Sequence, residues 1–243
     1  MINKTDLHGI IHKYYLNNRV ETTKWVIKDD TLTINFEDVS RSFIGDLTYH
    51  NIDIQDMELG LGNATRFLKL LAILNGELFI DFVKTQGIVE KLIIDDSQFN
   101  IKYALYDPES IPPVAKLGGY PDMDLEMKLE TDDIDALLRA NTALSECNEF
   151  GIEPSKNLDD EDIVNFMFGE NSAHSNKITY SVRADIKNNF GKQFRFDTSL
   201  FKDILNANKK SEESTLRFST TGLLHYNFKG ENYEVNYYTN PKA

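Results

Sequence analysis

The segment His8-Gly9-Ile10-Ile11-His12 contains the two residues whose type and spacing come closest to a metal site. Histidines four positions apart lie on one face of a helix and can bind one zinc ion, and in zinc proteases a glutamate directly after the first histidine acts as the general base. Gly9 occupies that position here, and no third ligand is apparent in the sequence. We therefore predict neither a metal site nor a cofactor.

Three further segments contain residue types that could bind a ligand or act as a nucleophile, but each lacks a residue or an arrangement that this chemistry requires. Gly60-Leu61-Gly62 is not followed by Lys-Ser/Thr, so it predicts a turn before a helix rather than a phosphate loop. The consecutive carboxylates of Asp159-Asp160-Glu161-Asp162 cannot all converge on one ion, which favours a solvated loop or helix start. Cys147 has no histidine close to it in sequence, and the chain contains no nucleophile elbow. The sequence therefore predicts a protein without enzymatic activity.

Length and composition indicate a protein with two packed domains. The 243 residues suit two domains of about 120 residues each, and 41% hydrophobic content with 15 Phe and 11 Tyr can build their cores. The single cysteine excludes an internal disulfide and suits a reducing compartment. No apolar stretch reaches the roughly 18–20 residues of a membrane helix, and the start lacks the apolar region of a signal peptide. We therefore expect a cytoplasmic location, which would be the host cytoplasm for a viral protein.

Four segments have the apolar spacing of short amphipathic helices. In the first, Leu7, Ile10 and Tyr14 follow the i, i+3, i+7 pattern of one helical face. Asn63 and Asp197 are favourable N-terminal caps for the second and fourth. The predicted helices span about 4–17, 64–75, 132–146 and 198–208.

Between the helices, apolar and polar residues alternate with a period near two, which predicts antiparallel strands. Asp29-Asp30 is the predicted turn of a first hairpin within Trp25 to Phe36, and Lys229-Gly230 is the predicted turn of the last hairpin. The remaining predicted strands run from Leu78 to Val83, Lys91 to Ile94, Phe99 to Tyr106, Val182 to Ile186, Phe194 to Phe196, Thr215 to Ser219, Leu223 to Phe228 and Tyr233 to Tyr238.

Residues 107–121 divide the chain almost in half. They hold four of the six prolines and a glycine pair, which excludes a helix interior or a central strand. We predict a first domain at 1–106, a connector at 107–124 and a second domain at 125–243.

The two halves have matching patterns. The first helix maps onto the third with an offset of 127, and the second onto the fourth with an offset of 133, which pairs Lys69 with Lys202. The strand from Phe99 to Tyr103 maps onto Tyr233 to Tyr237 with an offset of 134. A repeat of this length indicates a duplicated domain. The predicted fold class is α+β, with two similar domains that each pack two helices on antiparallel sheets.

The net charge of −13 argues against nucleic-acid binding unless the basic residues are concentrated in one place. Arg66 and Lys69, three positions apart, lie away from the apolar face of their helix. Lys202 and Lys209, seven apart, do so on the fourth helix. Arg139 projects from the middle of the third helix, whose acidic residues lie mainly in its first turn. The helices of this acidic chain thus present basic faces.

Three stretches carry a resemblance to a known family. Phe99 to Ser110 combines a strand with an Asp-Pro-x-Ser connector start, Ile134 to Ala140 is similar to the first helix of a second clamp domain, and Phe228 to Val235 to a terminal hairpin. On these residues and on the order of elements, the chain resembles the DNA sliding clamps of T-even-type bacteriophages over nearly its whole length. These clamps are similar in fold to proliferating cell nuclear antigen.

The resemblance implies a closed homotrimeric ring whose helices line a hole around double-stranded DNA. Such a clamp tethers the replicative DNA polymerase and raises its processivity, is opened by an ATP-dependent clamp loader, and in phages of this type also couples to late-transcription factors. Because a ring cannot dissociate by breaking contacts, its lining needs only weak, sequence-independent attraction to phosphates. The DNA-facing residues implied are Lys4, His12, Lys13, Arg66, Lys69, Arg139, Lys202, Lys209 and Lys210.

The resemblance also implies a pocket for the peptide tails of partner proteins, beside the connector and the last strands. Its candidate residues are Ile111, Val114, Leu117, Tyr237 and Tyr238. Two other classes of protein are also consistent with the sequence. One is a non-enzymatic, β-rich phage structural or assembly protein. The other is a single-strand binding protein, which should interleave aromatic residues with Lys and Arg, whereas the neighbours of the aromatic residues here are mostly acidic.

Overall fold

A computed structural model describes residues 3–115, 119, 121–169, 175–188 and 193–242. The chain divides into two compact units. Unit 1 comprises Met1–Lys116 and Asn232–Val235, and unit 2 comprises Leu117–Glu231 and Asn236–Ala243. None of the described helices is long and apolar enough to cross a membrane.

The described part of unit 1 contains two helices and two antiparallel sheets, with strand orders β4-β1-β2-β3 and β5-β6-β7. A turn of 3-10 helix at Pro108–Ser110 follows the last strand. The elements are α1 (Lys4–Tyr15), β1 (Thr23–Lys28), β2 (Thr31–Glu37), β3 (Phe43–His50), β4 (Met57–Leu61), α2 (Ala64–Ile73), β5 (Phe79–Thr85), β6 (Ile88–Asp95) and β7 (Asn100–Ala104).

Unit 2 repeats this arrangement, with strand orders β11-β10-β9-β13 and β12-β8-β14-β15-β16. The elements are β8 (Leu125–Lys128), α3 (Thr131–Ala143), β9 (Glu149–Lys156), β10 (Asp162–Gly169), β11 (Lys177–Arg183), β12 (Asp185–Ile186), β13 (Phe194–Asp197), α4 (Thr198–Asn208), β14 (Glu213–Phe218), β15 (Leu224–Gly230) and β16 (Tyr233–Thr239).

The pairing of strands confirms the predicted fold class. In unit 1, β1 pairs with β2 and β4, and β2 pairs with β3. In unit 2, β9 pairs with β10 and β13, and β10 pairs with β11. A helix precedes each of these sheets, a second helix follows it, and a three-strand meander comes next. The same α+β fold therefore occurs twice in the chain.

The helix caps correct the predicted offset between α2 and α4. Asn63 and Asp197 are the N-caps, and their side chains accept hydrogen bonds from the backbone N–H of Arg66 (3.0 Å) and Leu200 (2.7 Å). The caps lie 134 positions apart, so the predicted offset of 133 is wrong by one residue. Lys69 therefore corresponds to Asp203, and the pairing of Lys69 with Lys202 fails.

Two predicted turns have different outcomes. Asp29 and Asp30 form the β1–β2 turn as predicted, and both have positive φ, as the short hairpin turn requires. Lys229-Gly230 is not the turn of the last hairpin, because both residues belong to β15 and the turn lies at Glu231 and Asn232. The acidic segment after residue 153 forms the end of the β9–β10 hairpin, with Asp160 in its turn.

Aromatic side chains fill the core of each unit. In unit 1, Tyr14 of α1 lies 6.3 Å from both Trp25 and Phe36, measured between ring centroids. In unit 2, Phe201 of α4 lies 4.3 Å from Phe150 and is 1% exposed. Each helix thus buries its apolar face against the strands, which leaves its polar face for solvent or a ligand.

Candidate nucleic-acid interface

In unit 1, α1 lies beside α2, and side chains of both helices hold the pair together. The Tyr15 hydroxyl lies 2.9 Å from Thr65 Oγ1. The Lys4 ammonium donates to the carbonyl oxygens of Leu74 and Ala72, at the end of α2. A cation there satisfies carbonyls that have no helical partner and complements the helix dipole. Lys4 therefore joins the two helices and is only half-buried.

Lys13 is not on an exposed face, which corrects its predicted DNA-facing position. Its residue is 8% exposed, and its ammonium lies 4.1 Å from the centroid of the Tyr233 ring. Burial lowers the pKa of Lys13 to about 8, from a usual value near 10.5. The apolar spacing of α1 did not predict this burial, because a lysine stem can extend along the buried face of a helix.

Replacing Lys13 by methionine is expected to stabilise the protein by about 2 kcal/mol near pH 7, because the fold then buries no ammonium. The lowered pKa means that the folded chain binds its proton less tightly than the unfolded chain. The free-energy cost of burying the charged Lys13 ammonium is full below about pH 8. It falls as the pH rises from 8 to 10.5, and it vanishes above that. Loss of the contact with Tyr233 offsets part of the gain.

Urea denaturation of Lys13→Met and of the natural chain, each at about pH 7 and about pH 10.5, measures this difference. Lys28→Met is the control, since Lys28 is exposed in the same unit and should change stability little at either pH. A Lys13→Met protein that is no more stable than the natural chain at pH 7 contradicts the prediction.

His8 and His12 lie together on α1. Their Nε2 atoms are 3.2 Å apart and their ring centroids 4.2 Å apart. Burial, followed by the charges of His8 and Lys13, lowers the pKa of His12, and burial and Lys4 lower that of His8. Both imidazoles therefore carry less positive charge at neutral pH than exposed histidines. His12 is half-buried and can contribute little to an attraction for phosphate at that pH.

Arg66 and Lys69 form the clearest exposed cationic pair of unit 1. Both are exposed on α2, while Phe67 and Leu71 are fully buried on its opposite face. The Arg66 guanidinium and the Lys69 ammonium make no hydrogen bond or ion pair within the part of the chain that the structure describes. Their charges are thus available to a ligand.

In unit 2, α3 lies beside α4, and one predicted cation is neutralised between them. The Lys209 ammonium lies 2.6 Å from the Asp135 carboxylate. Arg139 and Lys210 are exposed, and Lys202 is half-buried. The cationic face of unit 2 therefore depends on Arg139, Lys202 and Lys210, with Lys209 as a partly compensated charge.

The predicted peptide-pocket residues differ in their exposure. Ile111 and Val114 are half-buried in unit 1, where they follow the turn at Pro108–Ser110. Tyr237 and Tyr238 belong to unit 2. Tyr237 is fully buried, and its hydroxyl accepts a hydrogen bond from Asn208 Nδ2 at 2.9 Å. Tyr238 is 9% exposed and stacks on the His225 ring, 4.5 Å away. Leu117 lies outside the described residues.

The Gly-x-Gly of residues 60–62 serves close packing at the start of the connector. The Tyr106 N–H donates to the Gly60 carbonyl at 2.8 Å. A Cβ on Gly60 would lie 2.3 Å from the Tyr106 carbonyl oxygen, and one on Gly62 would lie 2.5 Å from the Tyr106 ring. Only glycine permits this approach. Among the described residues, no group of three or more His, Cys, Asp or Glu could hold a metal ion.

Two solved structures have the same architecture as this chain. The crystal structure of proliferating cellular nuclear antigen from Entamoeba histolytica superposes with a TM-score of 0.77 at 17% identity, and the alignment covers 99% of this chain and 96% of that one. PCNA from Thermococcus kodakaraensis gives a TM-score of 0.75 at 14% identity, covering 100% and 98%. No protein-family model matches the sequence, and a search of curated proteins finds no match either. The likeness shows that the chain has the PCNA-like clamp fold.

Proposed function

We propose that this chain is the subunit of a sliding clamp, which encircles double-stranded DNA and tethers a replicative DNA polymerase. The observation that carries the proposal is the clamp fold, present twice in one chain and shared over nearly the full length with two PCNA structures. The resemblance of the sequence to T-even-type phage clamps supports a bacteriophage replication protein without enzymatic activity.

The distribution of charge supports DNA as the ligand. The chain as a whole carries −13, yet Arg66, Lys69 and Arg139 are exposed on helices, and Lys210 is exposed in the turn that follows α4. Phosphate contacts from such residues are independent of base sequence and weaken with salt, which suits a protein that must move along the duplex. The proposed DNA-facing set is therefore these four residues with Lys202, together with Lys4, His12 and Lys209 as weaker members.

The remaining parts of the proposal follow from the resemblance. Three copies would form the ring, an ATP-dependent loader would open it, and the polymerase tail would dock beside the connector near Ile111 and Val114. Late-transcription factors are a further class of partner. Of the two tyrosines predicted for this pocket, Tyr237 is fully buried in unit 2, so its side chain is not accessible to a peptide.

The decisive experiment measures topological retention on DNA. Linear duplex is fixed to beads by one end, the protein is added, and the free end is then blocked with streptavidin. A threaded ring should survive a wash at about 0.5 M salt, since screening removes phosphate contacts but not linkage. Restriction cleavage of the blocked duplex should release it.

The matched control is the same DNA with its second end left open, from which a ring should slide. Light scattering supplies the oligomeric state, and a mass of three times 27.9 kDa is expected. Retention that is the same with open and blocked ends, or a strict monomer at micromolar concentration, contradicts the proposal. Either result favours the other reading, a β-rich phage structural or assembly protein.

A further inference from the structure

Strand β5 forms an open edge of unit 1. It is the outer strand of the sheet β5-β6-β7, and no other described strand pairs with it. Phe79 is 61% exposed, and Ile80 and Phe82, which point to the other face, are only half-buried. The N–H of Phe82 donates to the carboxylate of its own neighbour, Asp81, at 2.8 Å. An open edge with exposed apolar side chains is a template for a further strand.

The corresponding strand of unit 2 has such a partner. In unit 1, Phe79 of β5 pairs with Asp95 of β6, and in unit 2, Glu213 of β14 pairs with Lys229 of β15. Both residues of the second pair lie 134 positions further along the chain, the same offset as the caps of α2 and α4. Strand β14 therefore corresponds to β5, and its other edge is covered by β8 in antiparallel register.

We infer that β5 binds an extended segment of a partner protein, which pairs with it antiparallel as β8 pairs with β14. The backbone supplies the hydrogen bonds, and side chains at alternate positions supply specificity, as in other cases of strand addition. The site lies on the meander sheet of unit 1 and uses none of the residues assigned to DNA or to the connector pocket.

The register of β8 indicates which side chains the bound partner segment, here called the occupant, carries. Met127 pairs with Leu216, which is fully buried and corresponds to Phe82. The occupant therefore places an apolar side chain opposite Phe82. Lys128 pairs with Thr215, which corresponds to Asp81. A basic residue at that position would meet the Asp81 carboxylate across the strands, a favourable cross-strand pair.

At a third position, the proposed site on β5 differs from the corresponding pair of β8 with β14. Glu126 pairs with Arg217, and their side chains form an ion pair with 2.7 Å between Oε2 and Nε. The residue corresponding to Arg217 is Val83, so an acidic residue opposite it would gain no partner. The occupant therefore carries an apolar residue there. The pairing of β5 with β6 shifts register between Val83 and Lys84 and then continues to Thr85 and Ile88.

Binding would also exchange hydrogen bonds at the edge. The Phe82 N–H now donates to Asp81 Oδ1. With a strand in place, this N–H can donate to a peptide carbonyl, and the carboxylate is released for the basic residue of the occupant. The Phe82 N–H thus has an acceptor in either state.

The test uses a fluorescein-labelled synthetic peptide, Met-Asp-Leu-Val-Met-Lys-Leu-Glu, which copies residues 123–130 with valine in place of Glu126. Fluorescence anisotropy on the full chain without DNA should show saturable binding. Asp81→Lys should weaken binding of this peptide about tenfold. A second peptide with glutamate in place of its lysine should bind Asp81→Lys about tenfold more tightly than it binds the natural chain.

Two control variants test whether the loss of peptide binding is specific to β5. Glu153→Lys makes the same charge change at an exposed strand position of unit 2, and Val114→Asp alters the connector region; both should leave binding unchanged. The inference is overturned if Asp81→Lys binds both peptides as the natural chain does, if Val114→Asp abolishes binding, or if the peptide signal arises only with self-association in light scattering. Failure of the clamp proposal would not affect any of these outcomes.

Discussion

Replacing Phe201 by alanine is expected to lower the free energy of unfolding of unit 2 by about 3–5 kcal/mol. Phe201 is 1% exposed, and its ring contacts those of Phe150, Phe166 and Tyr226 at centroid distances of 4.3, 5.9 and 6.2 Å. The substitution removes a buried ring and leaves a cavity between α4 and the strands, because surrounding side chains relax only partly. Urea denaturation followed by far-UV circular dichroism measures the change.

Leu158→Ala is the matched control, since Leu158 is fully exposed in the β9–β10 turn and its truncation should change stability by less than about 0.5 kcal/mol. Because α4 also carries Lys202, a destabilised unit 2 would disturb the proposed DNA-facing surface. A Phe201→Ala protein that unfolds at the same urea concentration as the natural chain contradicts the packing described for this core.

Reversing the charges of Arg66 and Lys69 together is expected to weaken association with duplex DNA at least 100-fold at low salt. Both side chains are exposed on α2, and three copies in a ring would present six such cations, each replaced by an acid. The slope of log K against log salt should fall by about 0.9 for each phosphate contact removed. Fluorescence anisotropy with labelled duplex at several salt concentrations measures both quantities.

The control for this double variant is Lys28→Glu with Lys128→Glu. It makes the same change in net charge at exposed residues that end strands β1 and β8 rather than lying on helices. It should weaken DNA association far less, because only the overall field of the protein changes. Equal losses in the two double variants would show that net charge, and not the helical face, governs binding.

Local residues predicted much of the fold. The helix α4 lies at Thr198–Asn208 as the Asp197 cap and the apolar spacing predicted, and the Asp29-Asp30 turn is in place. Strands β3, β4, β8, β9 and β10 were not predicted. In β10, for example, three consecutive buried residues, 166–168, break the period of two that marks a half-buried strand.

The candidate site was predicted less completely than the fold. Spacing on a helix correctly indicated that Arg66, Lys69 and Arg139 are exposed, since apolar residues define the opposite face. Spacing could not show that the Lys4 ammonium bonds to carbonyls at the end of α2, or that Lys209 pairs with Asp135. Those contacts join residues far apart in sequence, so they depend on how neighbouring helices pack.

The sequence by itself determined the fold class, the Asn63 and Asp197 caps and the exposure of Arg66, Lys69 and Arg139, because each follows from periodicity or capping within one element, and the repeat followed from comparing these patterns between the two halves. Only the tertiary structure decided that Lys13 is buried, that Tyr237 belongs to a core, and that β5 has an open edge where β14 has β8. Burial and strand pairing are set by contacts between distant segments, which no local pattern encodes.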